Sequence, residues 1–169
     1  MTSARTEDQT KYVASNGQAA DNAIIQQALE IAANRLQGVG GDAMSSSSAV
    51  ASYLQLYFAA DDTTSGREKF VVMFLNTKNR LIETEIMGAG TVDQVAVYPR
   101  EVIKSALLCN ATGMVLAHNH PSGVTQPSTQ DKKLTRELVS AANCFKMRIH
   151  DHIIVAGADC FSFLANGMM

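Results

Sequence analysis

Apolar positions along the chain change period several times, and each change marks an element. Residues 1 to about 20 are polar and without period, which predicts a mobile arm. From Asp21 or Asn22, either of which can cap a helix, Ile24, Ile25, Ala28, Leu29, Ala32 and Leu36 recur on one helical face. Gly38, Gly40 and Gly41 end that helix. A lone helix of this length is marginal, so its stripe is expected to pack on its own domain, with a homodimer contact as the other use of the face. Met44 and the serine run 45–48 form a linker, dividing an N-terminal segment, 1–45, from a domain over 46–169.

A second helix carries Val50, Leu54, Tyr57 and Phe58, and residues 61–66 form a loop. Phe70 to Leu75 is almost continuously apolar, a strand buried on both faces and opened by Glu68. Asn76 to Asn79 turn the chain into a returning strand, Arg80 to Met87, which Gly88 and Gly90 break; Thr91 to Asp93 lead onward. Pro99 suits the first helical position with Glu101 in the first turn, and Val102, Ile103, Ala106 and Leu107 form the apolar face. A strand over 112–118 follows, then a helix over about 129–143 bearing Leu134, Leu138, Ala141 and Ala142. A strand from Ile149 to Val155 and a short one from Phe161 to Leu164 close the chain. Helices alternating with strands predict an α/β layered domain.

Composition narrows the function. The 169 residues, 46% hydrophobic and 18% charged, suffice for one globular core without staples. A net charge of -2 leaves no electrostatic footprint for nucleic acid or an anionic membrane. Cys109, Cys144 and Cys160 are odd in number and form no Cys-x-x-Cys pair, which argues against a disulfide framework or a thiolate zinc knuckle. Cys109 reads as a small buried residue at a helix end, not a nucleophile. No apolar run has the length of a signal peptide or a membrane span, so the expected compartment is the cytoplasm.

The chemistry gathers where the apolar run Met114 to Ala117 enters His118-Asn119-His120. Alternate residues of a strand share a face, so the two imidazoles are expected together. Pro121 and Gly123 then turn the chain, and Ser128 and Asp131 fall where the next helix begins. Two imidazoles and a carboxylate supply three ligands and leave a fourth position open, the pattern of a catalytic zinc site. Ser128 and Asp131 also fit a helix cap, with Asp131 at the positive end of the dipole. A second pair, His150-Asp151-His152, opens a strand and has no following carboxylate at comparable spacing, so it is not counted among the ligands. A strand-start histidine beside an acid ordinarily sits at the surface. The His-x-Glu and Pro-Cys-x-x-Cys pattern of a zinc deaminase is absent.

The run from His118 to Asp131, His-x-His, seven residues, Ser, two residues, Asp, resembles the JAMM (MPN) metalloprotease motif. Its His-Asn-His-Pro-Ser-Gly at 118–123 is similar to the RadC-like branch, as are the stretches 67–72, 76–81, 98–102 and 151–155. The likeness covers about residues 46–165, leaving the first 45 unassigned. It implies a three-layer sandwich of the JAMM/cytidine deaminase-like type, a mixed sheet flanked by helices. It also implies Zn2+ held by His118, His120 and Asp131, with Glu68 as the base and Ser128 donating to the oxyanion. Glu83 and Glu85 are substitutes for that base, and Asp151-His152 matches a family pattern placed beside the site. The implied activity is metal-assisted hydrolysis of a peptide or isopeptide bond in a protein or peptide substrate. The alternative, a DNA-repair accessory role, follows from the RadC name and runs against the charge.

Overall fold

The computed structural model describes residues 6–37, 47–60, 66–90 and 96–169, with side chains from 21 in the first helix and from 48 in the second. Nine elements follow in order: α1 (Thr6–Gln37), α2 (Ser47–Ala60), β1 (Glu68–Leu75), β2 (Leu81–Gly90), α3 (Pro99–Leu108), β3 (Gly113–Asn119), α4 (Thr129–Cys144), β4 (Arg148–Ala156) and β5 (Asp159–Ser162). The strands form one mixed sheet in the order β2-β1-β3-β4-β5, in which only β3 and β4 are parallel.

Period-two alternation along the inner strands splits the core into two layers. Phe70, Val72, Phe74, Met114 and Leu116 pack under α3 and α4, while Met73, Leu75, Val115 and Ala117 pack under α1 and α2. The result is an α/β three-layer arrangement with a mixed sheet between two helical layers: the alternation of elements predicts the α/β class, and the resemblance implies the three layers. β1 and β3 are covered on both sides, so their sequences are continuous apolar runs.

Two connections place the site. Parallel β3 and β4 need a crossover, and α4 supplies it, so the amino end of α4 lies near the carboxyl end of β3. The antiparallel pairing of β1 with β3 sets Phe70 opposite His118, which brings the opening residues of β1 to that same end.

Several expectations are corrected. The arm expected over 1–20 is helical from Thr6 onward. Residues 6–20 carry no apolar period in the sequence, so a periodicity criterion passes over this helix, and Asn16-Gly17 costs it only about 1 kcal/mol. The docked stripe is Ile25, Ala28, Leu29, Ala32 and Leu36, whereas Ile24 is 65% exposed. Leu107 likewise faces outward from α3. Gly88 does not end β2: the register steps between Phe70–Gly88 and Val71–Ile86, leaving Met87 as the extra residue of a bulge. The last strand begins at Asp159, not Phe161, because Gly157, with φ +62, and Ala158 turn the chain directly after β4. Phe163, beyond β5, is still fully buried as an anchor. The glycines 38, 40 and 41, the linker at 44–46, the loop at 61–65 and Thr91 to Asp93 lie outside the described residues.

Leu36 joins the cluster of Tyr53, Leu54 and Met73, so α1 is docked through its carboxyl half. Leu36→Ala is expected to lower unfolding stability by about 2–4 kcal/mol, and Ile24→Ala by under about 0.5 kcal/mol, in urea denaturation. Equal effects would mean that α1 does not rest on the sheet.

Candidate metal centre

β3 ends at Asn119, and His120 is held just beyond it by its N–H to Val155 O at 2.8 Å. The chain then turns, with Gly123 N–H to His120 O at 3.0 Å and Gly123 at φ +77. The turn brings Val124 back, so that His120 Nδ1 donates to Val124 O at 2.6 Å. That leaves Nε2 pointing inward, 2.9 Å from Nε2 of the buried His118.

The third group comes from the first turn of α4. Ser128 and Asp131 form a reciprocal capping box: Ser128 Oγ accepts the Asp131 N–H at 3.1 Å, and the Ser128 N–H donates to Asp131 Oδ2 at 2.7 Å. The Ser128 hydroxyl donates to the same Oδ2 at 2.7 Å. Thus held, Asp131 sets Oδ1 3.5 Å from His118 Nε2 and Oδ2 3.7 Å from His120 Nε2. The capping and ligand readings of the sequence therefore describe one geometry.

Glu68 completes the cluster. Its carboxylate and the donor atoms of His118, His120 and Asp131 all lie within 4.8 Å of one another. Asn119 braces it from both sides, accepting the Lys69 N–H at 2.7 Å and donating to Arg67 O at 3.1 Å. Glu83 and Glu85 are exposed on β2, opposite Phe74 and Val72, away from this end of the sheet. Glu68, His120, Ser128 and Asp131 all line a cavity of about 930 Å³.

Behind the cluster lies a buried chain the ligand motif does not contain. His118 Nδ1 meets His152 Nε2 at 2.8 Å, and His152 Nδ1 meets Thr135 Oγ1 at 2.7 Å. His152 is 0% exposed, stacked on Phe163 and edge-on to Phe70, so the surface reading of this residue fails. Asp151 secures it, accepting the His152 and Leu164 N–H groups and the Ser162 hydroxyl. His150 is set apart by a bulge between Met114–Ile149 and Val115–Asp151, and its ring lies over Gly113. Thr135 carried no signal in the sequence. His152 carried two, its place in the second His-x-His pair and the Asp151-His152 family pattern, and of the two the family pattern is the one that set it beside the site.

Charge follows from these contacts. Burial would raise the Asp131 carboxyl, but the facing imidazoles of His118 and His120 and the bond from the Ser128 hydroxyl outweigh it and hold it far below the ordinary range. The Asp131 carboxylate raises His120, against burial. Burial raises Glu68, against the pull of the two imidazoles. Burial also pushes His152 well below the usual histidine value. Cys109, bonded through Sγ to Ala106 O, is raised by burial, which suits an inert thiol.

The donor set fits a zinc ion. Ligands about 2.0–2.1 Å from a tetrahedral centre stand about 3.3 Å apart. The two imidazole nitrogens stand 2.9 Å apart, with Asp131 Oδ1 3.5 Å from the first and Oδ2 3.7 Å from the second, all close to that value.

Comparison with known proteins shows the family of the domain. Residues 44–168 match the RadC-like JAB domain family. A UPF0758 protein of Haemophilus influenzae is 44% identical over 116 residues, 69% of this chain and 52% of that protein. One from Thiobacillus denitrificans is 44% identical over 147 residues, 86% and 64% respectively. The UPF0758 protein YkfG of Escherichia coli is 42% identical over 149 residues, 88% and 91%. The chain thus spans about half the length of the first of these relatives. Among the described residues, no helix is long and apolar enough to cross a membrane.

Removing the Asn119 brace tests its place in the site. Asn119→Ala is expected to cost about 1–3 kcal/mol in denaturant titration, since two backbone groups at the opening of β1 lose their partner. Faster amide exchange at Lys69 should accompany it, and unchanged exchange there would exclude the brace.

Proposed function

The chain belongs to the RadC-like JAB domain family, and from that and the donor geometry we propose that it is a zinc-dependent hydrolase of the JAMM class, acting on a peptide or isopeptide bond. The observation that carries the reading is the convergence of Glu68, His118, His120 and Asp131 on the wall of one cavity. His118, His120 and Asp131 would hold the ion. Bound there, zinc would polarise the scissile carbonyl and lower the pKa of water toward neutrality.

The rest of the work falls to the chain. Glu68 takes a proton from water on a carboxylate oxygen and delivers it to the leaving nitrogen. Burial shifts Glu68 upward, toward the range a proton shuttle needs. Asn119, clasping the backbone on either side, keeps that carboxylate facing the cavity. Ser128 donates its hydroxyl proton to the developing oxyanion. The cap does not forbid this, because it uses an Oγ lone pair, and Asp131 Oδ2 keeps the Ser128 N–H when the hydroxyl rotates. A protein or peptide chain is the substrate class, and the three free thiols support a reducing, cytoplasmic setting. A DNA-repair accessory role rests on the family's name, and a net charge of -2 gives it no physical support.

Protein purified without chelator should carry about one zinc per chain by elemental analysis, and His120→Ala should carry none. Glu68→Gln should keep its zinc yet hydrolyse a cleavable peptide or isopeptide conjugate roughly 10²–10⁴-fold more slowly. Zinc-free wild-type protein, or full activity in Glu68→Gln, would refute the assignment.

A further inference from the structure

We propose that Thr135 and His152 are positioning residues that dictate which nitrogen of His118 carries its proton, and so keep His118 Nε2 free to bind the ion. The inference rests on the metal reading above and extends it to two residues that do not touch the cluster's centre.

The proton directions follow from one fixed end. Thr135 Oγ1 lies 2.6 Å from Asp131 O, a main-chain carbonyl that can only accept. The single hydroxyl proton therefore goes there, as is common for threonine one helical turn after its acceptor. Toward His152 Nδ1, 2.7 Å away, the same oxygen can then only accept, so Nδ1 carries hydrogen. The His152 ring is 0% exposed between Phe70 and Phe163 and is bonded to a hydroxyl and an imidazole, not to a carboxylate that would hold a second proton. It is therefore neutral, and its Nε2 is bare. His118 Nδ1, 2.8 Å from that nitrogen, must supply the proton of their shared bond. A neutral His118 protonated at Nδ1 has its lone pair on Nε2, the atom facing His120 and Asp131.

The alternative tautomer shows what the relay prevents. With its proton on Nε2, His152 would donate to His118 Nδ1 and drive the His118 proton onto Nε2, where no metal bond can form. Nothing else nearby corrects such a reversal, since Phe70 and Phe163 cover the His152 ring and exclude water. The relay also starts and ends on one residue. Asp131 supplies the carbonyl that orients Thr135 and the carboxylate that sits 3.5 Å from His118 Nε2. Partners behind a metal-bound histidine commonly change metal affinity about 10–100-fold.

Thr135→Val replaces the hydroxyl with a methyl at constant shape, and Thr135→Ser keeps the hydroxyl. Zinc affinity is read by competition with a chromophoric chelator. The tautomers are read in the metal-free protein at alkaline pH by long-range ¹⁵N–¹H NMR of labelled histidines. The expected result is Nδ1–H on both His118 and His152 in wild type, zinc binding at least about tenfold weaker in Thr135→Val, and recovery in Thr135→Ser. Wild-type zinc affinity in Thr135→Val, or an Nε2–H proton on His152 in the wild-type spectrum, would overturn the proposal. The wild-type spectrum decides the matter even if Thr135→Val fails to fold. A wild-type protein that binds no zinc would instead refute the metal reading, while the same metal-free spectrum still decides the relay.

Discussion

Two imidazole nitrogens stand 2.9 Å apart at the end of β3, and each ring has its other nitrogen engaged elsewhere, by Val124 O or by His152. Two neutral rings so arranged turn lone pairs toward each other, a repulsive contact unless a positive charge sits between them. The Asp131 carboxylate beside them adds negative charge, and Glu68 adds more as it ionises. This concentration of electron-pair donors is the constraint around which the rest of the molecule is arranged. A cation relieves all four groups at once.

The fold meets the constraint with few parts. The crossover demanded by two parallel strands puts a helix amino terminus at the carboxyl end of β3, and the capping box there orients Asp131. The antiparallel neighbour β1 necessarily begins at the same end and brings Glu68. A capping residue and a metal ligand are usually competing explanations for an aspartate. Here Oδ2 takes the cap's bonds while Oδ1 stays turned toward His118, so one carboxylate serves both.

Much of this could be read from the chain, and the exceptions share a cause. The continuous apolar run 70–75, the proline at 99 and the His-x-His followed by Ser and Asp each reflect local geometry, and all lie where local rules place them. The first helix escaped for residues 6–20 because periodicity detects a buried face, not helicity itself. Gly88 suggested a strand end, yet a glycine in a strand also marks a bulge, and only the partner strand distinguishes the two. His152 and Thr135 lie 34 and 17 residues from their respective partners, His118 and His152. No spacing rule links such positions. The bulge at His150 also breaks the alternation that would have set both histidines of that pair on one face.

The most direct test of the central claim is anomalous diffraction at the zinc edge from crystals grown without chelator. The account predicts one strong peak about 2.0–2.2 Å from His118 Nε2, His120 Nε2 and an Asp131 carboxylate oxygen. A peak centred elsewhere, at His150 or a cysteine, or density that leaves the three donors without an ion, would contradict it.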